Sequence, residues 1–81
     1  AAGISDIALT PREAQLLERL MARAGAPVAK GDLVASLWGP STIGGENRLE
    51  VLMHALRGKL EKAGAMPRIE TVRGVGYRWA M

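Results

Sequence analysis

Apolar side chains recur every third or fourth residue along three stretches of this chain and give way to β-branched and aromatic residues near its end. The first stretch opens on Thr10-Pro11-Arg12-Glu13. Thr10 can cap free backbone N–H groups, Pro11 suits the first helical position, and Glu13 can reach back to close a capping box. Ala14, Leu16, Leu17, Leu20, Met21 and Ala24 trace one face and predict a helix over about 11–24. Gly25 stops it and Pro27 prevents its continuation. Val28-Ala29 reads as a brief extended link. A second helix is predicted over 30–38, with Asp32 near its positive end and Leu33, Val34, Leu37 and Trp38 as its packing stripe. Gly39-Pro40 ends that helix, and residues 41–46 form a loop with two adjacent glycines. The third helix is predicted over 46–63, with Leu49, Leu52, Met53, Leu56 and Leu60 in one stripe and Gly64 as its stop.

Two further segments alternate instead. Residues 4–9 read as a short strand with Ile4, Ile7 and Leu9 as packing residues. Residues 68–79 read as a β-hairpin: Ile69-Glu70-Thr71-Val72 runs out and Tyr77-Arg78-Trp79 returns, with Gly74 and Gly76 able to take the positive φ angles of a tight turn. Alternation turns Ile69, Val72 or their neighbours, and one or both aromatics, toward the helices.

Eighty-one residues allow one small domain, 1–81, which buries roughly 60–65% of its unfolded surface. The absence of cysteine excludes a disulfide and a thiolate metal site and is compatible with a reducing, cytoplasmic setting. No apolar run approaches the roughly 20 residues of a membrane span, and no signal peptide is visible, so no membrane partner is expected. The chain opens Ala-Ala-Gly without a methionine, which reads as a fragment or trimmed form of a longer protein.

The net charge of +3 is unevenly spread. Residues 1–46 hold four Lys/Arg and five Asp/Glu, whereas residues 47–81 hold seven and three. Positive potential therefore gathers on the third helix and the hairpin, which is a footprint for nucleic acid when the fold beneath it fits. Enzymatic readings find little support. There is one histidine and no nucleophile elbow, and Gly74-Val75-Gly76 lacks the third glycine and following helix of a dinucleotide fingerprint. Glu50 and His54 make one i, i+4 pair where a metal site needs three or four ligands. No cofactor is expected.

A helix-turn-helix that grips duplex DNA gives the basic residues a mechanism. Opposite the greasy stripe of the third helix lie Asn47, Val51, His54 and Gly58, flanked by Arg48, Glu50, Ala55 and Arg57. Asn47 can pair with adenine, Arg48 with guanine or a phosphate, and Val51 and Ala55 can touch thymine methyls. His54 can donate to a base or a phosphate oxygen, and Arg57 is a further candidate contact. Arg73, at the hairpin tip, can enter a narrow, negative minor groove. The hydroxyls of Thr71 and Tyr77 can meet phosphate, although core packing suits Tyr77 at least as well. Lys59, Lys62, Arg68 and Arg78 read as general surface charge.

LTPREAQLLERL (9–20), KGDLVASLWG (30–39), NRLEVLMHALRGKLE (47–61) and RIETVRGVGYRW (68–79) together resemble the C-terminal effector domain of OmpR/PhoB-type response regulators, and the helix at 47–61 resembles the PmrA/QseB-like branch. The resemblance covers about residues 7–79. It implies an α+β winged helix-turn-helix of three helices, an N-terminal antiparallel sheet and a C-terminal hairpin wing. It implies a recognition helix at 47–63, a wing arginine at Arg73 in the minor groove, and Thr71 near a backbone phosphate. It further implies double-stranded DNA with tandem direct repeats as the partner, bound by a head-to-tail dimer, RNA polymerase at the loop 39–46, and a receiver domain in the parent chain. Two features depart from the family pattern. The N-terminal sheet has residues for one or two strands instead of four, so it is reduced or truncated. His54-Ala55 stands where many relatives carry paired arginines. The rival reading is a winged-helix module that binds protein without DNA; an apolar or acidic outer face on the third helix would favour it.

Overall fold

Thr10 and Glu13 start the first helix as a reciprocal pair. The Thr10 hydroxyl accepts from the Glu13 N–H at 3.2 Å, and the Thr10 N–H donates to Glu13 Oε1 at 2.8 Å. The computed structural model describes residues 8–39, 43–64 and 69–80. Within them the chain runs α1 (Pro11–Met21), β1 (Pro27–Ala29), α2 (Lys30–Trp38), α3 (Gly45–Lys62), β2 (Ile69–Val72) and β3 (Gly76–Trp79). The three strands form one antiparallel sheet in the order β1-β3-β2.

The expected third and second helices stand within a residue of their predicted bounds, but α1 is shorter than the periodicity suggested. It ends at Met21, after which the bonds tighten: Arg23 and Ala24 donate to the carbonyls three residues back, Leu20 and Met21. Gly25 then takes φ +85° and donates its N–H to the Trp79 carbonyl at 2.8 Å. A contact with the far end of the chain thus stops a helix that its own apolar spacing would have continued. The strand expected at 4–9 lies mostly outside the described residues; Ala8 and Leu9 are not in a strand, and Leu9 packs against the core. So the sheet seen here is built by the wing and by β1.

That third strand is the second departure. Val28-Ala29 is no mere link: Pro27, Val28 and Ala29 pair with Arg78, Tyr77 and Gly76. Gly76 makes the pairing possible. It does not adopt a positive φ, contrary to the sequence expectation; only Gly74 does so in the turn, at +77°. A Cβ on Gly76 would run into the Val28 carbonyl oxygen and sit 2.9 Å from Lys30 N. Glycine stands there because two backbones meet, not because the chain turns left-handed.

The core is one cluster. Leu16, Leu17 and Leu20 from α1, Leu33, Val34 and Leu37 from α2, and Leu49, Met53, Leu56 and Leu60 from α3 are closed by Val28, Ile69, Tyr77 and Trp79. Full burial contributes about 1.5–3 kcal/mol for each leucine. Leu52 and Trp38 flank the cluster partly exposed. The charged residue Glu13 is buried with them.

Candidate nucleic-acid interface

Burying Leu49, Met53, Leu56 and Leu60 commits one side of α3 to the core and leaves the other side out. Asn47, Arg48, Val51 and His54 are exposed on it, Val51 to 71%, and Ala55 is half-buried behind them. The side chains of Asn47, Arg48 and His54 have no hydrogen-bond or ion-pair partner among the described residues. The start of this helix is fixed by glycines of different kinds. Gly44 caps it in the left-handed region at φ +71°. Gly45 is buried against Val34 of α2, with which a Cβ there would collide, so the two helices approach over a missing side chain.

The wing stands beside α3. Thr71 faces Tyr77 and Val72 faces Gly76 across the hairpin, and the Val75 N–H closes the turn on the Val72 carbonyl at 3.0 Å. Arg73 opens that turn, exposed and without a partner among the described residues. Thr71 is exposed on β2. A cleft of about 350 Å³ is lined by Ala29, Lys30, Gly31, Glu46, Gly74 and Val75 between the wing tip and the starts of α2 and α3, and the Lys30 N–H donates to the Val75 carbonyl at 3.2 Å beside it. Arg73, Gly74 and Val75 are all exposed, so the tip is not folded back into the interior.

Two of the candidate DNA contacts, Tyr77 and Arg57, are engaged within the protein, Tyr77 in the core packing weighed beside the phosphate contact. Tyr77 is only 5% exposed and its ring belongs to the core. Two cations flank that ring, Arg57 at 5.6 Å and Lys30 at 6.0 Å from its centroid. Arg57 is half-buried, and its Nη2 donates to the Ile69 carbonyl at 2.8 Å and to the Thr71 hydroxyl at 3.1 Å. It ties the recognition-type helix to the outer strand of the wing. The general surface charge expected for Lys59 is corrected, while Arg78 stays at the surface as half of an exposed pair. Lys59 Nζ donates to buried Glu13 at 2.6 Å, and Arg78 pairs with Glu70 on the neighbouring strand, Nε donating at 3.0 Å. Lys62 lies exposed at the end of α3, and Arg68 is outside the described residues.

Sequence reasoning gave Glu50 no role at the interface and passed over its pairing with Lys30. They approach to 3.9 Å between α2 and α3 and set a carboxylate on the outward face, three residues from Asn47 and four from His54. The helical spacing of Glu50 was legible; the approach of Lys30 from another helix was not. Among the described residues no three His, Asp or Glu side chains are grouped to hold a metal, and no helix is long and apolar enough to cross a membrane.

Comparison with known proteins agrees with this architecture. Residues 5–79 match the family described as "Transcriptional regulatory protein, C terminal". The chain is 44% identical over 75 residues to the transcriptional regulatory protein BasR of Escherichia coli K12, covering 93% of this chain and 32% of that protein. It thus spans about a third of such a relative's length. The RstA DNA-binding domain of Klebsiella pneumoniae, solved in complex with the RstA box, superposes with a TM-score of 0.77 at 32% identity, covering 91% of this chain and 74% of that one. The DNA-binding domain of the response regulator AdeR, solved in complex with an intercistronic region, superposes with a TM-score of 0.80 at 25% identity, over 93% and 74%. With this three-helix, three-strand winged fold and a match over nearly its full length, the chain belongs to the OmpR/PhoB-type effector domains of response regulators.

Proposed function

We propose that this domain binds double-stranded DNA sequence-specifically within a transcriptional regulator, α3 lying in the major groove and the wing tip in the adjacent minor groove. The observation that carries the reading is the pairing of two unoccupied surfaces held in fixed relation. The outward face of α3 carries exposed Asn47, Arg48, Val51 and His54, whose side chains have no hydrogen-bond or ion-pair partner among the described residues, and Arg73 projects from a wing that Arg57 bonds to the same helix. Asn47 and Arg48 offer the donor patterns that adenine and guanine accept, Val51 and Ala55 offer apolar contact to thymine methyls, and His54 donates to a base or phosphate. Arg73 is drawn into a narrow minor groove, where the potential is most negative. Thr71 meets a phosphate. Tyr77 supports the interface from within the core, and Arg57 from beneath its surface. The DNA complexes of the RstA and AdeR domains support this reading over a module that binds only protein.

In the parent protein a receiver domain precedes this one, tandem direct repeats are occupied by a head-to-tail dimer, and the loop 39–46 meets RNA polymerase; the regulator works in the cytoplasm and catalyses no reaction. The family's description as a C-terminal domain of transcriptional regulators, and the match to about a third of BasR, support a further domain in the parent protein. Incubation with mixed genomic fragments at 50 and 200 mM salt, followed by sequencing of the bound fraction, tests the central assignment. Enrichment of a shared motif supports it. Recovery of unselected fragments, or of none, refutes it.

A further inference from the structure

We propose that Arg57 is a positioning residue that makes the Thr71 hydroxyl a directed donor to one DNA phosphate; the inference rests on the DNA-binding reading. Arg57 Nη2 carries two hydrogens, and each has a taker: the Ile69 carbonyl at 2.8 Å and the Thr71 Oγ1 at 3.1 Å. The Tyr77 ring, 5.6 Å from the guanidinium carbon and itself buried, holds the group from one side. Thr71 thus receives a charged donor on its oxygen. Its own hydrogen has no acceptor among the described residues, and the side chain is exposed on the wing strand. A hydroxyl that accepts from a cation is polarised toward donation, and its free hydrogen turns away from that cation. An anionic oxygen at the protein surface suits such a group best, and the phosphate flanking the groove entered by Arg73 supplies one. Arg57 acts through Thr71 and at the same time locks the wing strand to α3.

The test uses the domain and a duplex carrying its selected sequence, with single phosphates replaced one at a time by neutral methylphosphonate. One replacement beside the wing should weaken the wild-type domain about tenfold, the size of a hydrogen bond to a charged group. Thr71→Val should lose that sensitivity and Thr71→Ser should keep it. Arg57→Lys retains the charge over Tyr77 but ends one bond short of Nη2. It should lose the sensitivity at the same phosphate while keeping the salt dependence of the wild type, and adding Thr71→Val should weaken binding no further. Circular dichroism checks that each variant is folded, and the Thr71 pair reads the phosphate contact with Arg57 untouched. Full phosphate sensitivity in Arg57→Lys, or additive losses in the double variant, overturns the positioning role. Equal binding of every substituted duplex by the wild type overturns the contact itself. Failure of the wild type to select any sequence overturns the underlying reading along with it.

Discussion

Lys59 Nζ lies 2.6 Å from Oε1 of Glu13, joining α3 to the start of α1 across 46 residues of sequence. The same carboxylate oxygen accepts the Thr10 N–H, so one buried oxygen serves both a helix cap and an interhelical bridge. Burial alone pushes the Glu13 carboxyl up. The Lys59 hydrogen bond, the Thr10 bonds and the Lys59 charge outweigh it and hold the carboxyl below its ordinary 4.5. Because the folded value is the lower one, the stabilisation is complete above the unfolded value and drains away as pH falls through the folded one. Urea unfolding midpoints should therefore drop as pH is lowered below about 4.5. Lys59→Met should destabilise by about 1–2 kcal/mol near neutral pH, less than for a fully buried pair because the lysine is partly solvated. Its acid-side decline should flatten, since burial then dominates Glu13. An unchanged acid limb in Lys59→Met would show that the bridge does not hold the carboxyl ionised.

Three glycines should respond to alanine in three ways. Gly76→Ala drives a methyl into the Val28 carbonyl and should unpair β1 from β3, a loss of about 2–4 kcal/mol as for other strained core insertions. Gly74→Ala meets open space but needs φ +77°, and should lose about 1 kcal/mol. Gly58→Ala, in the interior of α3 where the added carbon meets nothing within 4 Å beyond its chain neighbours and the helix's own backbone, should gain up to about 1 kcal/mol. Thermal melts of the three variants give the ordering directly. A Gly76→Ala domain as stable as the wild type would remove the close-approach explanation.

Leu56 is fully buried in α3 at the centre of the cluster. Leu56→Ala should lower stability by about 2–5 kcal/mol through the lost contacts and the cavity left behind. Most of a small domain's stability lies in that range, so denaturant midpoints should fall sharply. A shift under 1 kcal/mol would mean that α3 is not seated as described.

Arg73 bears on DNA affinity rather than stability, since its side chain is exposed and has no hydrogen-bond or ion-pair partner among the described residues. With about five phosphates neutralised, log affinity should fall with log salt at a slope near −4.5. Arg73→Ala should weaken binding and relax any preference for A·T-rich minor grooves while leaving the melting temperature unchanged. Wild-type affinity in that variant at moderate salt would refute the wing assignment.

Local chemistry was readable in the chain and distant pairing was not. Thr10-Pro11-Arg12-Glu13 announces a helix start because all its partners lie within three residues. The stripe from Leu49 to Leu60 announces a buried face because its period is that of the helix itself. By contrast, Glu13 was already accounted for by its cap, and nothing near it pointed to Lys59. Arg57 looked like a ligand contact because its acceptor is a backbone carbonyl, which leaves no mark in the side-chain sequence. Three residues, Pro27–Ala29, are too few to display alternation, so β1 emerged only from its pairing with β3. Asn47, Arg48, Val51, His54, Thr71 and Arg73 were legible as candidates because helical and hairpin geometry puts them outside whatever the core does.

Titration of isotope-labelled domain with a selected duplex, followed by amide chemical shifts, tests most directly whether the outward face of α3 and the wing tip grip DNA together. The largest changes should fall at Asn47–Ala55 and at Thr71–Gly74, with little change on the exposed side of α1 at Glu18 and Arg19 or just beyond it at Arg23. Changes centred on α1, or confined to α3 with the wing silent, would contradict it.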